Sequence, residues 1–60
     1  MTLDRARLMA CIAFLDGAAE EARQMAAGIP EARTNAQLME DSASALRELL
    51  RYRQEQRRAS

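Results

Sequence analysis

Histidine, lysine and tryptophan are absent from this 60-residue chain, and glycine, proline, cysteine and aromatic residues are scarce. Without histidine the chain lacks the commonest metal ligand and the usual general base near neutral pH. A single cysteine, Cys11, excludes an intrachain disulfide, and one Phe with one Tyr are too few for a base-stacking platform. The sequence also has no Gly-rich phosphate loop and no nucleophile motif. We therefore predict a non-enzymatic protein with no cofactor and no metal.

What the chain does contain is mostly strong helix formers. Thirteen of its residues are alanine, and Leu, Met, Arg, Gln and Glu supply most of the rest. Nine arginines balance nine acidic residues, so the formal net charge is zero. A neutral chain has no global electrostatic attraction to nucleic acid or to a membrane. This composition predicts an all-α fold in a single small domain.

The most apolar stretch runs from Leu8 to Leu15 and follows Arg5 and Arg7, as in a signal peptide. It is too short for a membrane span, which needs about 20 apolar residues. Asp16 also separates it from the small residues that follow. We therefore expect a cytoplasmic protein without a membrane partner.

The only strong break in the helical pattern is Gly28-Ile29-Pro30. Gly commonly follows the end of a helix, and Pro is favoured in the first turn of the next one. The sequence thus predicts helix 1 over about 3–27, with Thr2 as its N-cap, a turn at 28–30, and helix 2 over about 30–57. A capping box at 34–37 leaves open a later start, at residue 35. Two helices of similar length joined by a short turn form an antiparallel hairpin.

Each predicted helix carries an apolar stripe whose members alternate four and three residues apart. Folding the chain about residue 29 brings the two stripes face to face, so we call them together the inner seam. Its members are Leu8, Ile12, Leu15, Ala19, Ala22 and Ala26 on helix 1, and Ala32, Ala36, Met39, Ala43, Leu46 and Leu50 on helix 2.

A further set of mostly apolar positions keeps heptad spacing beside the inner seam, and we call it the second seam. It comprises Cys11, Phe14, Ala18 and Met25 on helix 1, and Leu38, Ser42, Ala45, Leu49 and Tyr52 on helix 2. A two-helix hairpin cannot bury both seams, and a 60-residue chain is marginal alone. The sequence therefore predicts a homodimeric four-helix bundle, with Cys11 as a buried small hydrophobe or, alternatively, an interchain disulfide.

Two interpretations of the second seam remain open, because Met and aromatic residues are enriched at interfaces of both kinds. It is either the dimer core or a groove for a partner's helix. We assign Phe14 and Leu49 to the dimer core, and Met25 and Tyr52 to contacts outside it. Residues 1–8 and 46–60 carry a net charge of +4 and residues 9–45 a net charge of −4. This polarity favours an antiparallel dimer.

Helix 2 also carries a continuous polar stripe, which we expect to face solvent: Arg33, Gln37, Glu40, Ser44, Arg47, Arg51, Gln54 and Arg58. Five arginines concentrate near the C-terminus: Arg47, Arg51, Arg53, Arg57 and Arg58. They are either a surface that contacts phosphate or a partner, or a solvated helix end paired with Glu48 and Glu55.

The leading functional hypothesis is a small adaptor, inhibitor or anti-activator that occludes the surface of a larger protein. From the size of the chain alone, we expect an accessory protein of a phage or mobile element. The first alternative is a nucleic-acid-binding dimer that uses the arginine-rich ends. The second is a structural subunit of a larger assembly.

Overall fold

The computed structural model of the chain describes residues 3–25 and 28–59. Two α-helices account for nearly all of them: α1 (Arg5–Met25) and α2 (Pro30–Ala59). They pack against each other as a helical hairpin, which confirms the predicted all-α fold. The molecule is one layer thick, with principal-axis extents of 49 × 18 × 15 Å.

The start of α1 is fixed by Asp4. The Asp4 carboxylate (Oδ1) accepts a hydrogen bond of 2.8 Å from the backbone N–H of Arg7, which satisfies one of the donors that a helix N-terminus leaves unpaired. Asp4 is thus the N-cap, whereas the sequence predicts an N-cap at Thr2, which lies outside the described residues.

The turn has the features that its sequence predicts. Gly28 has a backbone φ of +100°, a conformation that residues with a Cβ rarely adopt, and Pro30 is the first residue of α2. The backbone N–H of Arg33 reaches the carbonyl of Ile29 at 3.2 Å. Thr34 lies inside the helix, because its hydroxyl donates to the Pro30 carbonyl at 3.2 Å. The later start at residue 35 is therefore not adopted, and α2 extends to Ala59, beyond the expected end near Arg57.

The inner seam is the core of the hairpin. Leu8, Ile12 and Ala19 of α1 and Ala36 and Ala43 of α2 are buried. The other described members are half-buried, and Ala26 lies outside the described residues. Among the residues that the structure describes, Leu8 is the largest fully buried side chain. Three of these five buried residues are alanines and the larger seam side chains are mostly only half-buried, so this hairpin gains only modest stability from its own packing.

Candidate interaction surface

One long edge of the hairpin is closed by two ion pairs that connect α1 to α2. Arg23 binds Glu40 in bidentate fashion, with its Nε 2.9 Å from Oε1 and its Nη2 2.8 Å from Oε2. Arg47 makes the second pair with Asp16. We call these four residues the polar edge. Because the Glu40 carboxylate accepts hydrogen bonds from a guanidinium, its pKa lies below the ordinary value of 4.5, and the pKa of Arg23 is raised in turn.

The polar stripe of α2 is largely exposed, as expected, but two of its members also pair with α1. Glu40 and Arg47 belong to that stripe, yet both reach across to α1. Gln37 contributes as well, since its side-chain oxygen lies 3.4 Å from Arg23 Nη2. Pairs between exposed side chains stabilise a fold only modestly, but they occupy this edge with charge.

The second seam lies on the opposite edge. Each member of the polar edge directly follows an inner-seam residue, as Asp16 follows Leu15 and Glu40 follows Met39. Successive helix residues are rotated by about 100°, so a residue that precedes a seam position points to the other side. Most second-seam residues hold that preceding position, as Phe14 does before Leu15. The hairpin therefore has one charged edge and one largely apolar edge.

The large side chains of the second seam are exposed. The exposed fraction is 74% for Phe14, 83% for Met25, 58% for Leu38, 39% for Leu49 and 59% for Tyr52. Among the small members, Cys11 and Ala18 are half-buried, whereas Ser42 and Ala45 are exposed. The structure thus places the predicted interface residues together on one accessible face.

A shallow groove crosses this face near the middle of the hairpin. It measures about 430 Å³ and is lined by Ala10, Cys11, Phe14, Leu15 and Leu46. All five are apolar, and two of them, Leu15 and Leu46, come from the inner seam. The groove therefore connects the core of the hairpin to the exposed second seam.

The total exposed area of the chain is larger than that of a compact protein of its size. Its accessible surface is 4885 Å², whereas a compact monomer of this mass exposes about 3,900 Å². The radius of gyration, 14.1 Å, likewise exceeds the value of about 10 Å for a compact domain. The excess of about 1,000 Å² is comparable to the roughly 800 Å² that each partner buries in a standard protein interface.

The arginine-rich end is only partly the open cluster that its sequence suggests. Arg47 pairs with Asp16 across the hairpin, and Arg53 donates to the backbone carbonyl of Leu3 at 2.6 Å. Arg51 and Arg58 are exposed. Arg53 and Arg57 line a cleft of about 280 Å³ at the open end, together with Asp4, Arg5, Leu50 and Gln54.

The cross-helix ion pairs are absent from the sequence-based predictions, because those predictions consider only the spacing of charges within one helix. These ion pairs can be predicted from the positions of the inner-seam residues in the sequence. Folding the chain so that Leu15 and Leu46 share the seam also brings the residues after them, Asp16 and Arg47, to one edge. Folding the chain in this way also brings Arg23 and Glu40 to the same edge.

No protein-family model matches the chain, and no curated protein or solved structure shows significant similarity to it. Neither helix, over the residues described, is long and apolar enough to cross a membrane.

Proposed function

We propose that this hairpin is a non-enzymatic protein–protein interaction module that acts as a homodimer through its second seam. The observation that carries the proposal is the difference between the two edges of the hairpin. Two cross-helix ion pairs occupy one edge, while the other leaves Phe14, Leu38 and Leu49 exposed. Apolar side chains gathered on one face of a small protein are typical of a surface that another chain covers.

A second copy is the simplest occupant. Two hairpins packed face to face form a four-helix bundle, in which each chain supplies the layer that the other lacks. The excess exposed area of about 1,000 Å² is enough for a standard interface. Burial of the second seam would also add large side chains to a core that is otherwise mostly alanine.

In this proposal the dimer acts as an adaptor, inhibitor or anti-activator of a larger protein. Met25 and Tyr52 lie toward opposite ends of the second seam, and both are largely exposed. Side chains at the rim of a dimer interface remain accessible, so these two residues are the proposed contacts with that larger protein.

The proposal is tested by placing a charge in the second seam. Leu49→Glu should weaken the dimer because a carboxylate would have to be buried without a partner. Ser44→Glu is the matched control, since Ser44 follows the inner-seam residue Ala43 and is exposed on the side of the polar edge. Sedimentation equilibrium of both variants should show loss of dimer for Leu49→Glu alone. Equal dimerisation of the two variants would refute the proposed interface.

A second candidate function is nucleic-acid binding at the open end of the hairpin. The cleft at the open end favours it, because three arginines, Arg5, Arg53 and Arg57, and one acidic residue, Asp4, are among its lining residues. This candidate predicts binding of a labelled oligonucleotide that falls steeply as salt rises and is lost in Arg57→Glu. The leading proposal predicts that the wild-type protein and this variant both fail to bind it.

A further inference from the structure

Two exposed charges of opposite sign lie on either side of Cys11, Phe14 and Ala18 in the α1 part of the second seam. Arg7 precedes the inner-seam residue Leu8 near the open end, and Glu21 precedes Ala22 near the turn. Both residues directly precede an inner-seam residue, as Phe14 does, so both side chains lie on the edge that carries the second seam. From the open end toward the turn, the α1 part of that edge is therefore basic at Arg7, apolar from Cys11 to Ala18 and acidic at Glu21, and the exposed Met25 follows.

The spacing of these residues is regular. Arg7 lies seven residues before Phe14, and Glu21 lies seven residues after it. Seven residues make almost two complete helical turns, so the three side chains lie nearly in line along α1. A two-fold rotation about an axis at the level of Phe14 exchanges the positions of Arg7 and Glu21.

We propose that the second copy packs antiparallel on this edge, with Arg7 of each chain opposite Glu21 of the other. This inference rests on the proposed homodimer and specifies its orientation. The two hairpins overlap most when the two-fold axis crosses the middle of the helices. For α1, Arg5–Met25, that middle is next to Phe14.

The opposite orientation places like charges together. In a parallel dimer the open ends of the two hairpins coincide, so Arg7 meets the end that holds Arg53 and Arg57. Glu21 then lies against the half of the second hairpin that ends at the turn, where Glu31 and Asp41 are exposed. Juxtaposed like charges disfavour an interface, whereas the antiparallel arrangement gives two attractive contacts related by symmetry.

The test uses two charge reversals, Arg7→Glu and Glu21→Arg, made separately and together. Each single reversal turns two attractive contacts into two repulsive ones, so the dissociation constant should rise about tenfold or more. The double variant, and an equimolar mixture of the two single variants, restore both attractions. Their dissociation constants should return to near the wild-type value. Arg7→Glu adds an acid to the first turn of α1, which favours the helix, so lost helicity would not explain a weaker dimer.

Glu20→Arg is the matched control. It makes the same change of net charge one residue away, but Glu20 follows Ala19 and is exposed on the side of the polar edge. Mixing Glu20→Arg with Arg7→Glu reproduces the opposite net charges of the test mixture, but the resulting heterodimer has one attractive contact and one repulsive contact. This heterodimer should therefore bind more weakly than the wild-type dimer, whereas Glu20→Arg alone should keep the wild-type affinity.

The outcomes separate the inference from the proposed function. A wild-type chain that stays monomeric would overturn both. A wild-type dimer whose affinity neither single reversal changes would overturn the antiparallel contact alone. The proposed contact would also be refuted if the single reversals weaken the dimer and neither the double variant nor the mixture of the two single variants recovers the wild-type affinity. A heterodimer of wild-type affinity in the test mixture, and a weaker heterodimer in the control mixture, would establish it.

Discussion

Truncating Phe14 to alanine should weaken the dimer strongly without harming the hairpin. Phe14 is 74% exposed in the isolated chain. Since a phenylalanine side chain presents about 200 Å², about 150 Å² of it is available for burial by a second copy. At about 25 cal/mol per Å², and allowing for the Cβ that alanine keeps, complete burial is worth about 3 kcal/mol per chain.

A dimer contains two copies of Phe14, so the total loss is about 3 to 6 kcal/mol for half-complete to complete burial. This range corresponds to a rise of roughly two to four orders of magnitude in the dissociation constant. Alanine is the better helix former, so the monomer should not lose helical propensity. Sedimentation equilibrium measures the dissociation constant, and circular dichroism checks the helicity of the same samples.

Met9→Ala is the matched control for this prediction. Met9 is 50% exposed, but it follows the inner-seam residue Leu8 and lies on the side of the polar edge. Its truncation removes a similar apolar side chain from the wrong edge, so the dissociation constant should change little. If Phe14→Ala and Met9→Ala altered the dimer equally, the difference between the two edges would not determine where the second copy binds.

Three further predictions concern the hairpin itself. Ile12→Asp places an unpaired charge at a buried inner-seam position and should abolish helical circular dichroism at micromolar concentration; a helical spectrum would contradict the seam register. Gly28→Ala should lower the free energy of unfolding by about 1 to 2 kcal/mol in urea titrations, because the φ of +100° at this position strains any residue with a Cβ. The lowered pKa of Glu40 means that its pairing with Arg23 stabilises the fold above pH 4.5 and is lost as the pH falls through the folded-state pKa. Glu40→Gln should therefore reduce the loss of stability on acidification, whereas an unchanged acid transition would show that the pair contributes nothing.

The inner seam could be predicted from the sequence because heptad spacing specifies which side of a helix is apolar. Every described member of that stripe, including Leu8, Ala36 and Ala43, is buried or half-buried. The turn was equally predictable, since Gly28 and Pro30 each have a backbone reason for their position. These features depend on local geometry alone.

The ends of the helices and the polar edge were less predictable. Asp4 and Thr2 both fit an N-cap by residue type, and only the hydrogen bond from Arg7 distinguishes them. Helix α2 continues to Ala59, and no Gly or Pro follows Arg57 to mark an earlier end. The pairing of Asp16 with Arg47 follows only when the inner-seam stripes of both helices are placed face to face, which the spacing of charges along one helix does not reveal.

Sedimentation equilibrium of the unmodified chain, from micromolar to millimolar concentration, tests the central claim most directly. The claim is that the second seam is covered by another copy of this chain. It predicts a reversible equilibrium that reaches twice the chain mass of 6.7 kDa, with helicity that increases as the dimer forms. A fully helical species that keeps the mass of one chain throughout this range would contradict it.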